Sequence, residues 1–257
     1  MNSLQPIIIV QSSPTKQTAI DLAGAARERN YDIQDISFSR QQEQSPLIDG
    51  KFPVFIYGSV ALMRDWCSKY EALNDWVWYD HERLGPACWK KHLGSHFLNS
   101  DGKRVSSKYF RAEYFPVGET WHVRPMLNDK KPVGGLYSFD DIEIRNLNDA
   151  CELWVSKPKP IMDEVRVWIV GSQPCTASQY RANKKLVNLI GNETTLQAMN
   201  YAAIVANIFL PHEHCVMDLA RDFDGNWSVI EFNPIHGSGW YGADPGEILE
   251  AFVSFYR

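Results

Sequence analysis

Residues 216–234 read VMDLARDFDGNWSVIEFNP. Asp224-Gly225 is a strong hairpin-turn signal, flanked by two runs, Val216–Arg221 and Trp227–Phe232, whose composition suits strands. Side chains on one face of a strand recur with period two, so Glu231 and Asn233 share a face. A hairpin centred near Asp224-Gly225 sets Asp218, on the partner strand, opposite roughly Glu231. Three oxygen-bearing side chains then converge, which is the donor set of a hard cation. Mg2+ prefers oxygen ligands at about 2.0–2.1 Å and typically uses one or two carboxylates plus substrate phosphates. The bland alternative is the solvated polar face of an exposed hairpin. Against it, Val229, Ile230 and Phe232 make the strand apolar, and carboxylates within such a strand are costly unless they bind something. A calcium loop built on Asp222, Asp224 and Asn226 fails, because its sixth-position Gly and twelfth-position Glu are both missing.

Just downstream, HGSGWYG contains a formal G-x-G-x-x-G at Gly237, Gly239 and Gly242, between a strand and the amphipathic helix expected over Gly246–Tyr256. The chain ends at residue 257, too soon for the rest of a dinucleotide-binding βαβ unit. These glycines are better suited to letting backbone approach a ligand or turn tightly. Just upstream, His212, His214 and Cys215 in PHEHC offer two or three zinc ligands. A structural zinc needs four, and no second cluster exists, so the segment reads as a loop entering a strand.

Working outward, the longest expected helix covers Thr194–Leu210. Before it, Val165–Val170 and Cys175–Ala182 read as strands joined by the turn Gly171-Ser172-Gln173-Pro174. Strands are also expected at Thr120–Pro125 and Glu152–Ser156, a helix at Asp140–Cys151, and a loop at LNDKKPVGG. The region 64–115 has weak periodicity, with short helices near Ala61–Cys67 and Pro86–Leu93. At the N-terminus, strands at Pro6–Gln11, Asp32–Phe38 and Phe52–Gly58 surround a helix over Thr18–Glu28, the pattern of a small open α/β unit. SSPTKQT after the first strand carries no Gly, which excludes a phosphate loop there.

Composition limits the function further. The chain has 257 residues, 26 Lys plus Arg against 31 Asp plus Glu, a formal charge of −5, and 44% hydrophobic residues. That is an ordinary globular composition. Mild acidity without a Lys/Arg run excludes a protein whose main business is coating nucleic acid or anionic lipid, although nucleic acid as an occasional substrate stays open. No apolar run approaches the roughly 20 residues of a membrane span, and MNSLQP lacks signal-peptide features, so a cytoplasmic location is expected. The 5 cysteines are scattered and read as reduced thiols. The 9 tryptophans divide into Trp66, Trp76, Trp78, Trp89 and Trp121 in or near the weakly periodic middle, and Trp154, Trp168, Trp227 and Trp240 beside the carboxylates.

A strand Asp, a hairpin, then E-F-N-P and a Gly-rich loop resemble the C-terminal metal-binding signature of ATP-grasp enzymes. The upstream order agrees. VRPMLNDKKPVGG resembles the stretch where those enzymes place a basic residue on a strand and a mobile glycine-bearing loop over the phosphates. ELWVSKPKPI resembles the linker strand whose backbone reads adenine, and EVRVWIVGSQPCTASQYR resembles the E-x-R-x-[FW]-x-V strand and the S-x-Y-R strand after it. The set is most similar to a clade of ATP-grasp proteins from phages and bacteria named for a characteristic arginine and two lysines. It covers about Glu119 to Arg257. Val133 replaces the clade's usual loop aromatic, so the loop lysine is either Lys130 or Lys131.

The resemblance implies an α/β (α+β) chain with a pre-ATP-grasp α/β domain at 1–115 and a nucleotide- and metal-binding ATP-grasp region at 116–257. It implies that Arg124 with Lys130 or Lys131 holds ATP phosphates, that Trp154 and Val155 present backbone to adenine, and that Glu164 lies at the nucleotide. Asp218, Glu231 and Asn233 would hold Mg2+, or Mn2+. Arg166 and Arg181, together with Lys131, are the implied catalytic cations, the two arginines holding a γ-phosphate or an incoming carboxylate unless they merely pair with Glu164 or Asp163. Ser178, Tyr180, Arg181, Gly239 and Trp240 are the implied substrate-facing residues. The implied reaction joins a carboxylate to an amine through an acyl-phosphate, with a small molecule, peptide or protein as partner. Alternatives are a phosphotransferase or a nucleotide- or nucleic-acid-modifying ligase on the same fold, or a non-catalytic aromatic-rich binding protein. Asp218→Ala or Glu231→Ala is expected to leave the fold intact and abolish turnover, and the first tryptophan group is expected to line an acceptor cleft.

Overall fold

The computed structural model describes residues 6–12, 16–37, 44–46, 48, 53–113, 119–126, 132–138 and 141–257. Its N-terminal part is a parallel sheet in the order β2-β1-β3, formed by β1 (Ile7–Ser12), β2 (Asp32–Ser37) and β3 (Val54–Tyr57), with helices α1 (Gln17–Glu28) and α2 (Val60–Lys69). Parallel strands covered on both faces need apolar residues at every position, which is why β1 and β3 are continuous apolar runs. Ile8, Val10, Phe55 and Tyr57 join one cluster with Leu22 and Ala26 of α1, while Ile9, Val54 and Ile56 join another with Leu62 and Trp66 of α2.

Two antiparallel sheets follow. The smaller has the order β4-β7-β5-β6, from β4 (Lys103–Ser106), β5 (Trp121–Pro125), β6 (Gly135–Tyr137) and β7 (Glu152–Ser156). The larger has the order β10-β9-β8-β11-β12, from β8 (Asp163–Val170), β9 (Gln173–Ala182), β10 (Lys185–Ile190), β11 (Cys215–Arg221) and β12 (Trp227–Pro234). β4 precedes residue 115 and pairs with β7 beyond it, so the smaller sheet draws strands from both sides of the expected division.

Further helices complete the described chain: α3 (Pro86–Leu93), α4 (Ser107–Glu113), α5 (Ile142–Arg145), α6 (Glu193–Ala206) and α7 (Pro245–Phe255). Helix α6 starts where the Asn192 side chain accepts a hydrogen bond from the Thr195 amide at 2.8 Å, and it buries Thr195, Ala198, Ala202 and Val205 on one face against the larger sheet. Helix α7 begins at Pro245 behind the capping Asp244. The helix expected over Asp140–Cys151 is a single turn. Its second half is rich in Asn and Asp, and Asn148 Oδ1 accepts from the Ala150 amide at 2.9 Å, a local bond that competes with helical pairing. Strands β4, β6 and β10 are additions to what the sequence pattern predicts. The turn into β10 is Asn183-Lys184, with φ of 46° and 66°, a hairpin geometry that Asn tolerates well and Lys does not advertise.

Candidate active site

The hairpin β11–β12 aligns Asp218 with Glu231 and Val216 with Asn233, bringing the three expected donors onto one face. Turn geometry alone does not produce that register. From Arg221↔Trp227 to Leu219↔Val229 the pairing is regular, and continued unchanged it would set Asp218 against Ile230 and Glu231 against Met217, on the core face. A bulge between Asp218 and Leu219 inserts one residue in β12 and restores Asp218↔Glu231. Val229, Phe232, Met217 and Leu219 stay in the core beneath. Downstream, the Asp222 side chain accepts from the amides of Asp224 at 2.9 Å and Asn226 at 2.8 Å, and Gly225 sits at φ 85°, which closes the turn.

Each carboxylate meets an arginine. Arg166 on β8 donates from Nε to Asp218 Oδ1 at 2.8 Å and from Nη2 to Oδ2 at 2.7 Å, with both side chains below 10% exposed. Its Nη1 donates to the Gly239 carbonyl at 3.2 Å, and the guanidinium lies 4.7 Å from the centre of the Tyr241 ring. Arg124 on β5 donates to Glu231 Oε2 at 2.9 Å and stacks over Trp89 at 4.5 Å. The Asn233 amide donates to Glu231 Oε1 at 2.9 Å and to Asp218 Oδ2 at 3.2 Å. Burial raises the Asp218 carboxyl to about 6, offset in part by Arg166 and reinforced by the nearby Glu231 charge. Glu231 goes the other way: burial works against its ionisation but Arg124, Asn233 and Arg166 outweigh it.

Among the described residues no three His, Cys, Asp or Glu side chains converge as a metal cluster. The pair Asp218 and Glu231 with the Asn233 amide still matches what Mg2+ asks of a protein when substrate phosphates complete its shell. Rotating the Asn233 amide about its Cβ–Cγ bond turns its oxygen to where its nitrogen now bridges the carboxylates. The donor set fits such a cation, and a cation there would take over part of the charge compensation that Arg166 and Arg124 provide.

Arg124 and Glu231 line a cavity of about 550 Å³ between the two antiparallel sheets, together with His122, Glu164, Tyr180 and Arg181. Arg181 pairs with Glu164 across β8 and β9 at 3.3 Å, the pairing foreseen as the alternative to a ligand role, while its Nε is enclosed without a partner among the described residues. Arg166 instead pairs with Asp218 and not with Glu164 or Asp163; Asp163 is taken by Arg221 at 2.5 Å. Tyr180 stacks on Tyr241 at 5.0 Å. Lys130 and Lys131 lie outside the described residues.

Several expectations are corrected. β7 lies between β4 and β5, which occupy both of its hydrogen-bonding edges, so the backbone of Trp154 and Val155 is not free to read a base. Val155 points into the cluster with Val123 and Leu153, away from the cavity, and Trp154 Nε1 donates to the Asn99 carbonyl at 3.0 Å. Lys159 and Ile161 of the following linker line the cavity. Trp240 is 3% exposed, stacked on Tyr57 at 4.8 Å, with its indole N–H on the Thr18 carbonyl at 2.8 Å; it packs and does not meet ligand. Ser178 is fully buried and its hydroxyl donates to the Tyr241 carbonyl. Gly239 contributes its carbonyl to Arg166 and no free amide is needed to explain it.

The tryptophans expected to form an acceptor cleft are mostly core: Trp66 and Trp89 are fully buried, and Trp76 and Trp121 pack against apolar clusters. Trp78 does line a cavity, one of about 780 Å³ where it stacks on His212 at 4.4 Å. That cavity meets the carboxylate site at Asn233, with Pro234 beside it. His212 Nδ1 accepts from the His214 amide at 3.0 Å, and His214 Nδ1 accepts from the Gly171 amide at 3.0 Å. His122 and Lys159, which line the smaller cavity, escape a reading of the sequence alone. His122 stands two residues before Arg124 on an expected strand, so the period-two rule that groups Glu231 with Asn233 is the available signal.

The fold that carries this site has counterparts among known proteins. The family model that matches is that of an ATP-grasp domain, family 3 of the clade named for one arginine and two lysines, over residues 71–253. No curated protein sequence matches the chain. Among solved structures, D-cycloserine synthetase DcsG superposes with a TM-score of 0.60 at 13% identity over 98% of this chain and 99% of that one. D-alanine–D-alanine ligase from Bacillus anthracis complexed with ATP gives 0.60 at 12% identity over 98% and 97%. Macrocyclase MdnC bound with precursor peptide MdnA from Microcystis aeruginosa MRC gives 0.59 at 13% identity over 97% and 100%. No helix among the described residues is long and apolar enough to cross a membrane. With most of its length matched by the family and 98% of it covered by the structural match, the chain belongs to family 3 of that arginine-and-two-lysine clade of ATP-grasp domains, on the fold of ATP-dependent ligases.

Proposed function

We propose that the protein is an ATP-dependent carboxylate–amine ligase. The observation that carries this reading is the trio of buried Asp218 with half-buried Glu231 and Asn233, in which Glu231 pairs with Arg124 at 2.9 Å where the two line the intersheet cavity, in a chain of ATP-grasp type. MgATP would occupy that cavity, where Asp218, Glu231 and the Asn233 oxygen would hold Mg2+ or Mn2+, which would neutralise phosphate charge. Arg124, and Lys130 or Lys131, hold phosphate oxygens; the forked guanidinium suits them. Arg166 has both forked donors committed to Asp218, so its role is to position that carboxylate. Arg181, half exposed beside Glu164, is the cation free to turn toward a γ-phosphate or an incoming carboxylate, with Tyr180 at its side. The parallel β1–β3 unit serves as the pre-ATP-grasp portion of the chain.

The chemistry balances as two displacements. A substrate carboxylate oxygen attacks the γ-phosphorus, the bond to ADP breaks, and an acyl-phosphate forms. An amine then attacks the acyl carbon, phosphate leaves, the amine loses a proton, and an amide results with ADP and phosphate. That both D-alanine–D-alanine ligase and a peptide macrocyclase share the fold supports amide formation and leaves the acceptor between amino acid, peptide and protein. The test is mass spectrometry after incubation with ATP, Mg2+ and cell extract, with hydroxylamine added in parallel. The proposal expects ADP, phosphate, a condensed product, and a hydroxamate in the trapping arm. AMP with pyrophosphate, or a phosphorylated acceptor without phosphate release, would overturn it.

A further inference from the structure

His122 stands on β5 two positions before Arg124, so both side chains leave the same face of the strand, and both line the cavity of about 550 Å³. Its ring is oriented by packing rather than by hydrogen bonds. Among the described residues Nδ1 is enclosed without a partner, whereas Nε2 is neither enclosed nor bonded, on a side chain that lines the cavity. An enclosed N–H with no acceptor is rarer and costlier than an enclosed lone pair with no donor. The ring proton therefore sits on Nε2, and the group presented to the cavity is a hydrogen-bond donor. The imidazole is also held uncharged: burial first, then the Arg124 charge, lower its pKa to about 4.

Arg124 and Glu231 line the cavity at the carboxylate site, and Lys159, Glu164, Arg181 and Lys184 add further charges to its wall. His122 is paired across the sheet with Leu136 on one side and with Ser156, the last residue of β7, on the other. Leu136, Leu98, Ile161 and Ile230 are the apolar residues of the lining. A nucleotide whose phosphates meet Arg124 at the carboxylate site can set its nucleoside against Leu136, the cross-strand neighbour of His122, where a neutral donor pairs with an oxygen or ring nitrogen without calling for a charge.

We infer that His122 is a ligand-contacting residue of the nucleotide cavity, its Nε2–H donating to an acceptor atom on the nucleoside side of the bound nucleotide, the part that ATP, ADP and AMP share. This rests on the reading of the cavity as the nucleotide site. The test is isothermal titration of the full chain with ATP, ADP and AMP in the presence of Mg2+, for the parent, His122→Phe and His122→Gln, with thermal midpoints measured alongside. His122→Phe fills the ring's place without a donor and should weaken all three nucleotides by about the same factor, roughly tenfold. His122→Gln carries its amide N–H near the Nε2 position and should stay within about threefold of the parent, which a purely packing role would not require. Parent-like affinities in His122→Phe, or a loss confined to ATP, overturn the inference while leaving the nucleotide site standing. A parent that binds none of the three overturns the site itself, and the inference with it. Should His122→Phe fail to fold, His122→Asn, which withdraws the donor from the cavity with little change in polarity, carries the same comparison.

Discussion

Asp218→Ala removes the carboxylate partner of a guanidinium that is 9% exposed. In the parent, two of the Arg166 nitrogens are satisfied by Asp218 at 2.8 and 2.7 Å. What remains after the substitution is one bond to the Gly239 carbonyl at 3.2 Å and the Tyr241 ring at 4.7 Å. Breaking a buried pair from one side costs about 3–5 kcal/mol, because a charge is left enclosed and uncompensated. The residual contacts, and relief of the close approach to Glu231, place the expectation at the lower end, near 3 kcal/mol by this order-of-magnitude reasoning, or about half a typical single-domain margin. With a urea slope of about 3 kcal/mol per M, the midpoint falls by roughly 1 M. The expectation from sequence that Asp218→Ala leaves the fold intact thus gives way to one of a folded but weakened protein. The control is Arg166→Met combined with Asp218→Ala. Removing both charges together should recover most of the loss, since a buried pair replaced by apolar groups is often neutral. Equilibrium urea unfolding at pH 7 measures all three. A single variant within about 0.5 kcal/mol of the parent, or a double variant no more stable than the single, would refute the reasoning.

Glu231 offers a cleaner functional test, because Arg124 keeps its stacking on Trp89: Glu231→Gln should retain the parent's thermal midpoint and lose ATP turnover in the presence of Mg2+, and full turnover would remove the proposed cation site. Lys131→Ala should weaken nucleotide affinity in a titration, with unchanged affinity transferring the role to Lys130. Trp240→Ala, which deletes a buried ring stacked on Tyr57 and tilted against Trp168, should cost about 3–5 kcal/mol in unfolding experiments; a loss of nucleotide affinity without a loss of stability would restore Trp240 to the ligand site. His236 donates from Nδ1 to the Ile56 carbonyl at 2.7 Å and accepts on Nε2 from the Trp78 amide at 3.3 Å, and burial lowers its pKa from 6.5 to about 4. Its folded pKa lies below its unfolded one, so its contribution is present above pH 6.5 and is lost as pH falls toward 4, worth roughly 3 kcal/mol. Urea midpoints measured from pH 7 down to pH 4.5 should fall in the parent and fall less in His236→Asn; equal slopes would exclude His236 as the cause.

The parts of the fold that are legible are those written in local pattern. The apolar runs of β1 and β3, the helical stripes of α1, α6 and α7, and the turns at Gly171-Ser172 and Asp224-Gly225 each depend on residues a few positions apart. The strands that go unseen lack that local support. β6 has three residues, and β10 turns Leu186, Leu189 and Ile190 outward, at 46–79% exposure, so its pattern carries no inward face to read. The tryptophans show the same limit: a Trp in a polar, aperiodic segment looks like a ligand platform until its neighbours are known, and most of these neighbours are core.

The sequence by itself determined that Asp218, Glu231 and Asn233 form one chemical set, because strand periodicity and a strong turn are local properties and the order of motifs around them belongs to ATP-grasp proteins. Only the tertiary structure decided how that set is completed. A one-residue bulge at Ile230 turns Glu231 out of the core to meet Asp218. Strands far away in the chain bring Arg166 and Arg124 to the two carboxylates, and the facing sheet brings His122 to the cavity. Register and charge compensation are set by pairing between distant segments, and no residue's immediate neighbours carry that information.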